Sequence, residues 1–222
     1  MDPITPHVGS QVVNLCAALL LLTCFAILAQ RRLSACVEMF ALQSAFLAAT
    51  AAVVAFLTGI HHIYIAAGLT VVIKVLVIPR ILKKVVERLN VKRELEMNVN
   101  IPAGLLICGV LVILAFFITQ PIIPLGFLLT RDSLAIALAI VLIGFFTMIA
   151  RKKAITQVIG FLVMENGLFL GATVAAYGMP LIVELGVFFD VLVAVLIIGI
   201  YSHRIQDAFD SVDTSKLTVL KE

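Results

Sequence analysis

Seven stretches of this chain run for about the length of a membrane helix with hardly a charge, and the charges gather in the gaps between them. The stretches are 9–30, 33–58, 60–78, 101–119, 133–150, 154–176 and 180–201. A hydrocarbon core about 30 Å thick is crossed by about 20 apolar residues of helix, so each stretch predicts one span. The apolar–polar alternation of a barrel strand is absent, and backbone in lipid must satisfy its own hydrogen bonds. The pattern therefore predicts an all-α polytopic membrane protein of about seven transmembrane helices.

Composition narrows this further. With 63% hydrophobic residues and a mean hydropathy of +1.19, a soluble 222-residue domain would leave too much apolar surface wet. Every Lys and Arg except Lys74 and Arg131 falls in gaps of one parity: Arg31 and Arg32, the segment 80–93, the turn 151–153, and the tail 204–221. The positive-inside rule puts these in the cytoplasm, with the N-terminus outside and the C-terminus inside. The net charge of +3 marks topology and implies no nucleic-acid partner. The first ten residues, MDPITPHVGS, lack a basic stretch before the apolar run, so no cleaved signal peptide is expected.

The chain reads as a single membrane domain over 1–222. Residues 9–100 hold three helices and a basic cytoplasmic loop, 101–131 a fourth helix and an outer loop, and 132–222 a three-helix unit with a cytoplasmic tail. The segment 80–90 spaces Ile81, Leu82, Val85, Val86 and Leu89 with a helical period. The segment reads as a cytoplasmic extension of the third helix followed by a turn, suited to lie on the membrane surface or on a partner, or else as a solvated basic loop. Spans one to three and five to seven share a plan, and FLAAT at 46–50 aligns with FLGAT at 169–173. A parallel internal repeat with the fourth span as linker would account for both.

Candidate chemistry lies inside the spans. Cys16, Cys24, Cys36 and Cys108 form no CxxC pair, and no phosphate loop, nucleophile elbow or dinucleotide fingerprint is present. No catalytic centre, metal or cofactor is expected. Charged groups within a bilayer are costly and are functional candidates by default. Counting about 1.5 Å per residue, Glu165 lies about 18 Å in from Lys153 and Asp190 about 15 Å in from Pro180, both near the midplane. Two carboxyls at one depth can share or pass a proton, and Asn166 adds an amide beside the first. Glu184 lies nearer the outer surface, facing either the interface or the same path. Glu38 and Lys74 each fall about 9 Å from a cytoplasmic end of adjacent helices, which allows an ion pair. The alternative sends Lys74 to the interface and Glu38 to a partner. His61 and His62 stand at an outer turn, as ordinary interfacial residues or as a relay.

The run RKKAITQVIGFLVMENGLFL at 151–170, followed by a span with an acid at Asp190, resembles the small 4L-type subunit of respiratory complex I and of multisubunit cation/proton antiporters. Keyed on Gly160 and Asn166, that family's first buried Glu falls at Leu162, whereas here the acid is Glu165, about one turn later. The whole chain resembles the hydrogenase-4 component E family more fully. The resemblance lies in MENG, VELG with FFD at 183–190, IKVLVIP at 73–79, four spans ahead of the 4L-like triplet, and the LTVLK tail.

The resemblance implies a non-catalytic subunit of a nickel–iron hydrogenase complex, multi-pass in a prokaryotic cytoplasmic (inner) membrane. Its partners would be antiporter-like subunits, a membrane anchor and a soluble hydrogenase arm. Glu165, Asp190, Glu184, Glu38 and Lys74 would then line a proton or sodium path. The competing readings are a stand-alone secondary transporter, or an antiporter subunit, and, more weakly, a seven-helix receptor.

Overall fold

The computed structural model describes residues 4–88, 99–121 and 131–175, together with Gly186. Over these residues the protein is helical: α1 (Ile4–Ala29), α2 (Leu33–Thr58), α3 (His61–Thr70), a π-helical stretch (Val71–Val77), α4 (Ile78–Arg88), α5 (Ile101–Thr119), α6 (Arg131–Ala150) and α7 (Ala154–Ala175). Six spans are long and apolar enough to cross a membrane: Val8–Ala29, Leu33–Thr58, Ile63–Val85, Ile101–Thr119, Asp132–Ala150 and Ile155–Ala175. They coincide with the first six predicted spans except at the third. The predicted seventh span, 180–201, lies outside the described residues apart from Gly186, which is helical.

Two hairpins form the centre. In each, a turn of a few residues returns the chain, so α1 lies on α2 and α6 lies on α7. The hairpins pack together through α1 against α6 and α2 against α7. The second hairpin is tight because its contact is built from glycine. A Cβ on Gly144 would meet the Met164 backbone at 2.6 Å, and one on Gly167 would meet Val141 N at 2.8 Å and Ala137 O at 2.9 Å. Small residues let helix backbones approach in lipid, where apolar surfaces gain little by leaving the solvent.

The third span packs on α2, after a turn in which Gly59 takes φ 71 and donates its N–H to Ala55 O at 2.9 Å. This left-handed cap is the conformation that favours glycine. The span then runs as one continuous helix past the predicted exit at 78, because Ile78, Leu82 and Val85 are buried while Arg80 and Lys84 are exposed. The amphipathic period seen in the sequence is thus a helical extension packed on α2. Pro79 accounts for the π stretch just before it. Its ring would clash with the Val75 carbonyl of a regular helix, and it offers no N–H. A widened turn relieves the clash, with the Ile78 N–H going to Ile73 O.

Helix α5 is peripheral, with only Gly104, Cys108, Ala115 and Thr119 buried. Its Leu106 is 74% exposed and its Phe117 72%, side chains suited to lipid rather than water. Polar side chains are turned back on their own helices: Thr50, Thr70, Thr119, Thr147 and Thr173 each donate to the carbonyl four residues earlier.

Candidate functional site

The extension of the third span changes the depth of its charge. Lys74 lies well inside the continuous helix from His61 to Arg88, and Glu165 well inside α7. They meet inside the bundle, with Lys74 Nζ 2.8 Å from Glu165 Oε1 and both side chains almost wholly buried. The same ammonium donates to Asn166 Oδ1 at 3.1 Å and stands 5.8 Å from the centre of the Phe169 ring. Glu165, Asn166 and Phe169 are one turn of α7, so a single helix face supplies carboxylate, amide and aromatic ring.

From Asn166 a line of amides crosses the bundle. Asn166 Nδ2 donates to Gln43 Oε1 at 3.1 Å and to Ser44 Oγ at 3.3 Å. Gln43 Nε2 donates in turn to Leu20 O at 3.3 Å and to Cys24 Sγ at 2.8 Å. Both ends dictate the orientation. An ammonium can only donate, and a backbone carbonyl can only accept, so each amide must turn its oxygen toward Lys74. The ammonium therefore meets the negative ends of aligned dipoles. Gln43, Ser44 and Asn166 are fully buried, and in lipid such groups are tolerable only when paired.

Glu165 is less completely served. Both of its oxygens are shut off from solvent, and neither receives a well-aligned hydrogen bond from the described residues. Its contact with Lys74 is thus one of charge with charge. Beside it is the Gly186 backbone, where a Cβ would lie 3.8 Å from Glu165 Oε1 and 3.6 Å from Phe169.

The expected Glu38–Lys74 pair does not form. Glu38, near the start of α2, takes Lys83 of α4 at 2.9 Å, with both side chains about half exposed. The expectation took Arg80 as the cytoplasmic end of the span and counted depth from there. Because the helix continues, Lys83 rather than Lys74 comes level with Glu38. His61 is exposed at the far end of the third span and does not join the cluster. His62 is helical, and its side chain lies outside the described set, as do Asp190 and Glu184.

A second buried cation went unnoticed in the sequence because it looks like an ordinary cytoplasmic arginine. Arg151, 2% exposed, sends Nη2 to the carbonyls of Ile27, Leu28 and Gln30 at 3.1, 3.0 and 3.2 Å. It caps the C-terminus of α1, where carbonyls lack helical partners and the dipole attracts a cation. Burial lowers its pKa from the ordinary guanidinium value, and the nearby Cys36 thiol opposes that shift. This contact also places the turns 30–32 and 151–153 at one end of the bundle, as their shared basic character predicts.

Hydrogenase-4 component E of Escherichia coli K12 is 27% identical over 216 residues, covering 96% of this chain and 99% of that protein. The Shigella flexneri protein of the same name aligns equally well. An uncharacterized Mycobacterium tuberculosis protein is 37% identical over 218 residues, covering 96% of this chain and 97% of its own length. The chain belongs to the hydrogenase-4 component E family. No protein-family model and no solved structure matches it. Membership accords with a multi-pass helical bundle and extends over almost the whole chain, so the buried cluster lies within the aligned region.

The hydrogen bond between Gln43 and Asn166 joins residues 123 apart, the offset that relates FLAAT to FLGAT. Thr50 and Thr173, also related by it, make the same bond to Phe46 O and Phe169 O.

Proposed function

We propose that this chain is a non-catalytic membrane subunit of a hydrogenase complex, in which the Lys74–Glu165 pair handles protons or ions on their way through the membrane. The observation that carries this is a buried ion pair well inside two helices, held at 2.8 Å. Neutral amides would serve packing at less cost than a buried ion pair, which often contributes no net stability against apolar replacements. Keeping charge there is therefore more in line with ion handling than with adhesion. A proton brought by a donor group can pass to the Glu165 carboxylate, breaking the donor's bond to hydrogen and forming one O–H bond, while Asn166 and Phe169 hold the lysine in place. In this reading Asp190 and Glu184 of the seventh span continue the path from the Gly186 side. That span completes a three-helix, 4L-like C-terminal unit and brings the chain to seven helices, with the N-terminus outside and the C-terminus in the cytoplasm.

The relatives named hydrogenase-4 component E supply the assembly. We assign the chain to the prokaryotic cytoplasmic membrane, between antiporter-like subunits, a membrane anchor and a nickel–iron hydrogenase arm. Purification in mild detergent through a C-terminal tag, followed by mass spectrometry, tests this. Recovery of hydrogenase and antiporter-like subunits is expected. A monodisperse protein that comes out alone and moves ions in liposomes would favour the stand-alone transporter.

A further inference from the structure

The arrangement around Lys74 bears on which ion is exchanged, provided that Glu165 is an ion-handling group as proposed above. A buried carboxylate, an amide oxygen and the face of a phenyl ring together make a setting that attracts a monovalent cation. In this chain that position is already filled. Lys74 Nζ takes Glu165 Oε1 at 2.8 Å and Asn166 Oδ1 at 3.1 Å, and it lies 5.8 Å from the Phe169 centroid. The occupant is covalently tethered, 1% exposed, and anchored from behind by the Asn166–Gln43 amides, whose oxygens point at it. Neutral amides have no readily titratable proton, so this line holds the ammonium and does not conduct. The Glu165 Oε1 that meets Lys74 also lies beside the Gly186 backbone, and neither carboxylate oxygen takes a well-aligned hydrogen bond from the described residues.

We propose that the Lys74 ammonium is the resident cation of this site, and that the ion exchanged at Glu165 is the proton and not sodium. A sodium ion would have to displace a tethered charge from every donor it needs. A proton needs only a carboxylate oxygen.

The test uses the intact complex and dicyclohexylcarbodiimide, which modifies protonated carboxyls in apolar surroundings. Modification of Glu165 is followed by mass spectrometry in sodium chloride and in choline chloride at equal ionic strength and pH. In the parent chain and in Lys74→Arg, sodium is expected to leave labelling unchanged. In Lys74→Met, which vacates the cation position, sodium is expected to suppress labelling several-fold. Lys74→Gln serves the same purpose if the methionine variant does not assemble. Suppression by sodium in the parent chain would overturn the proposal, and so would its absence in an assembled Lys74→Met or Lys74→Gln complex. Failure of the underlying reading shows separately, as unchanged hydrogen-linked proton movement in Glu165→Gln.

Discussion

Among the described residues two cations are buried, Arg151 and Lys74, and they are held in opposite ways. Arg151 sits at the end of a helix, where its Nη2 donates to three backbone carbonyls that cannot change charge. Lys74 sits well inside its helix and faces a carboxylate that can. The first arrangement is fixed: its partners belong to the α1 backbone, and the guanidinium stays protonated at any accessible pH. The second contains a titratable group on each side. Burial of charge is thus not in itself a sign of function. The chemistry of the partner separates a staple from an exchange site.

Replacement of Glu165 should break this comparison most severely. Glu165→Gln leaves an ammonium without its counter-charge, and breaking such a pair costs about 3–5 kcal/mol. The expected result is a large loss of thermal stability in detergent together with loss of hydrogen-linked proton movement. The double replacement Lys74→Met with Glu165→Leu sharpens the point. Removing both charges should recover most of the stability and none of the proton movement, measured on the same preparation.

Arg151→Met should come next. Hydrogen bonds from a charged donor contribute about 1.5–3 kcal/mol each but do not add, so a loss of about 2–4 kcal/mol is expected. Thermal unfolding reads the loss, while proton movement per hydrogen oxidised should stay at the parent value in the complexes that assemble. Gly167→Ala should cost about 1–3 kcal/mol, because the new Cβ meets the α6 backbone and the two helices must part. Glu38→Gln should change stability least. Its pair with Lys83 is about half exposed, and such pairs contribute about 0–1 kcal/mol.

Much of this was legible in the sequence. Leu33–Thr58 and Ile101–Thr119 follow the predicted bounds, because apolar runs ended by Arg, Gly or Pro leave little choice. Glu165 and Lys74 stood out individually as charges in lipid. Their pairing did not, since it depends on where the third helix leaves the membrane. The apolar period over 80–90 announced the extension of the third helix, but not that Lys83 rather than Lys74 would come level with Glu38. Gln43 escaped notice because a neutral amide in an apolar run carries no alarm. Its signal was positional: it lies 123 residues before Asn166, the spacing of the FLAAT and FLGAT segments. Arg151 was hidden by its company, since Lys152 and Lys153 beside it do what the positive-inside rule asks.

The central claim is that the Lys74–Glu165 pair moves charge in step with hydrogen chemistry. The direct measurement is the number of protons moved per hydrogen oxidised by the complex in sealed vesicles, for the parent chain and for the charge-free Lys74→Met, Glu165→Leu chain. The account predicts that dye-linked hydrogenase turnover is kept while the proton ratio falls. An unchanged ratio in an assembled, stable complex would contradict it and leave the pair as a packing element like Arg151.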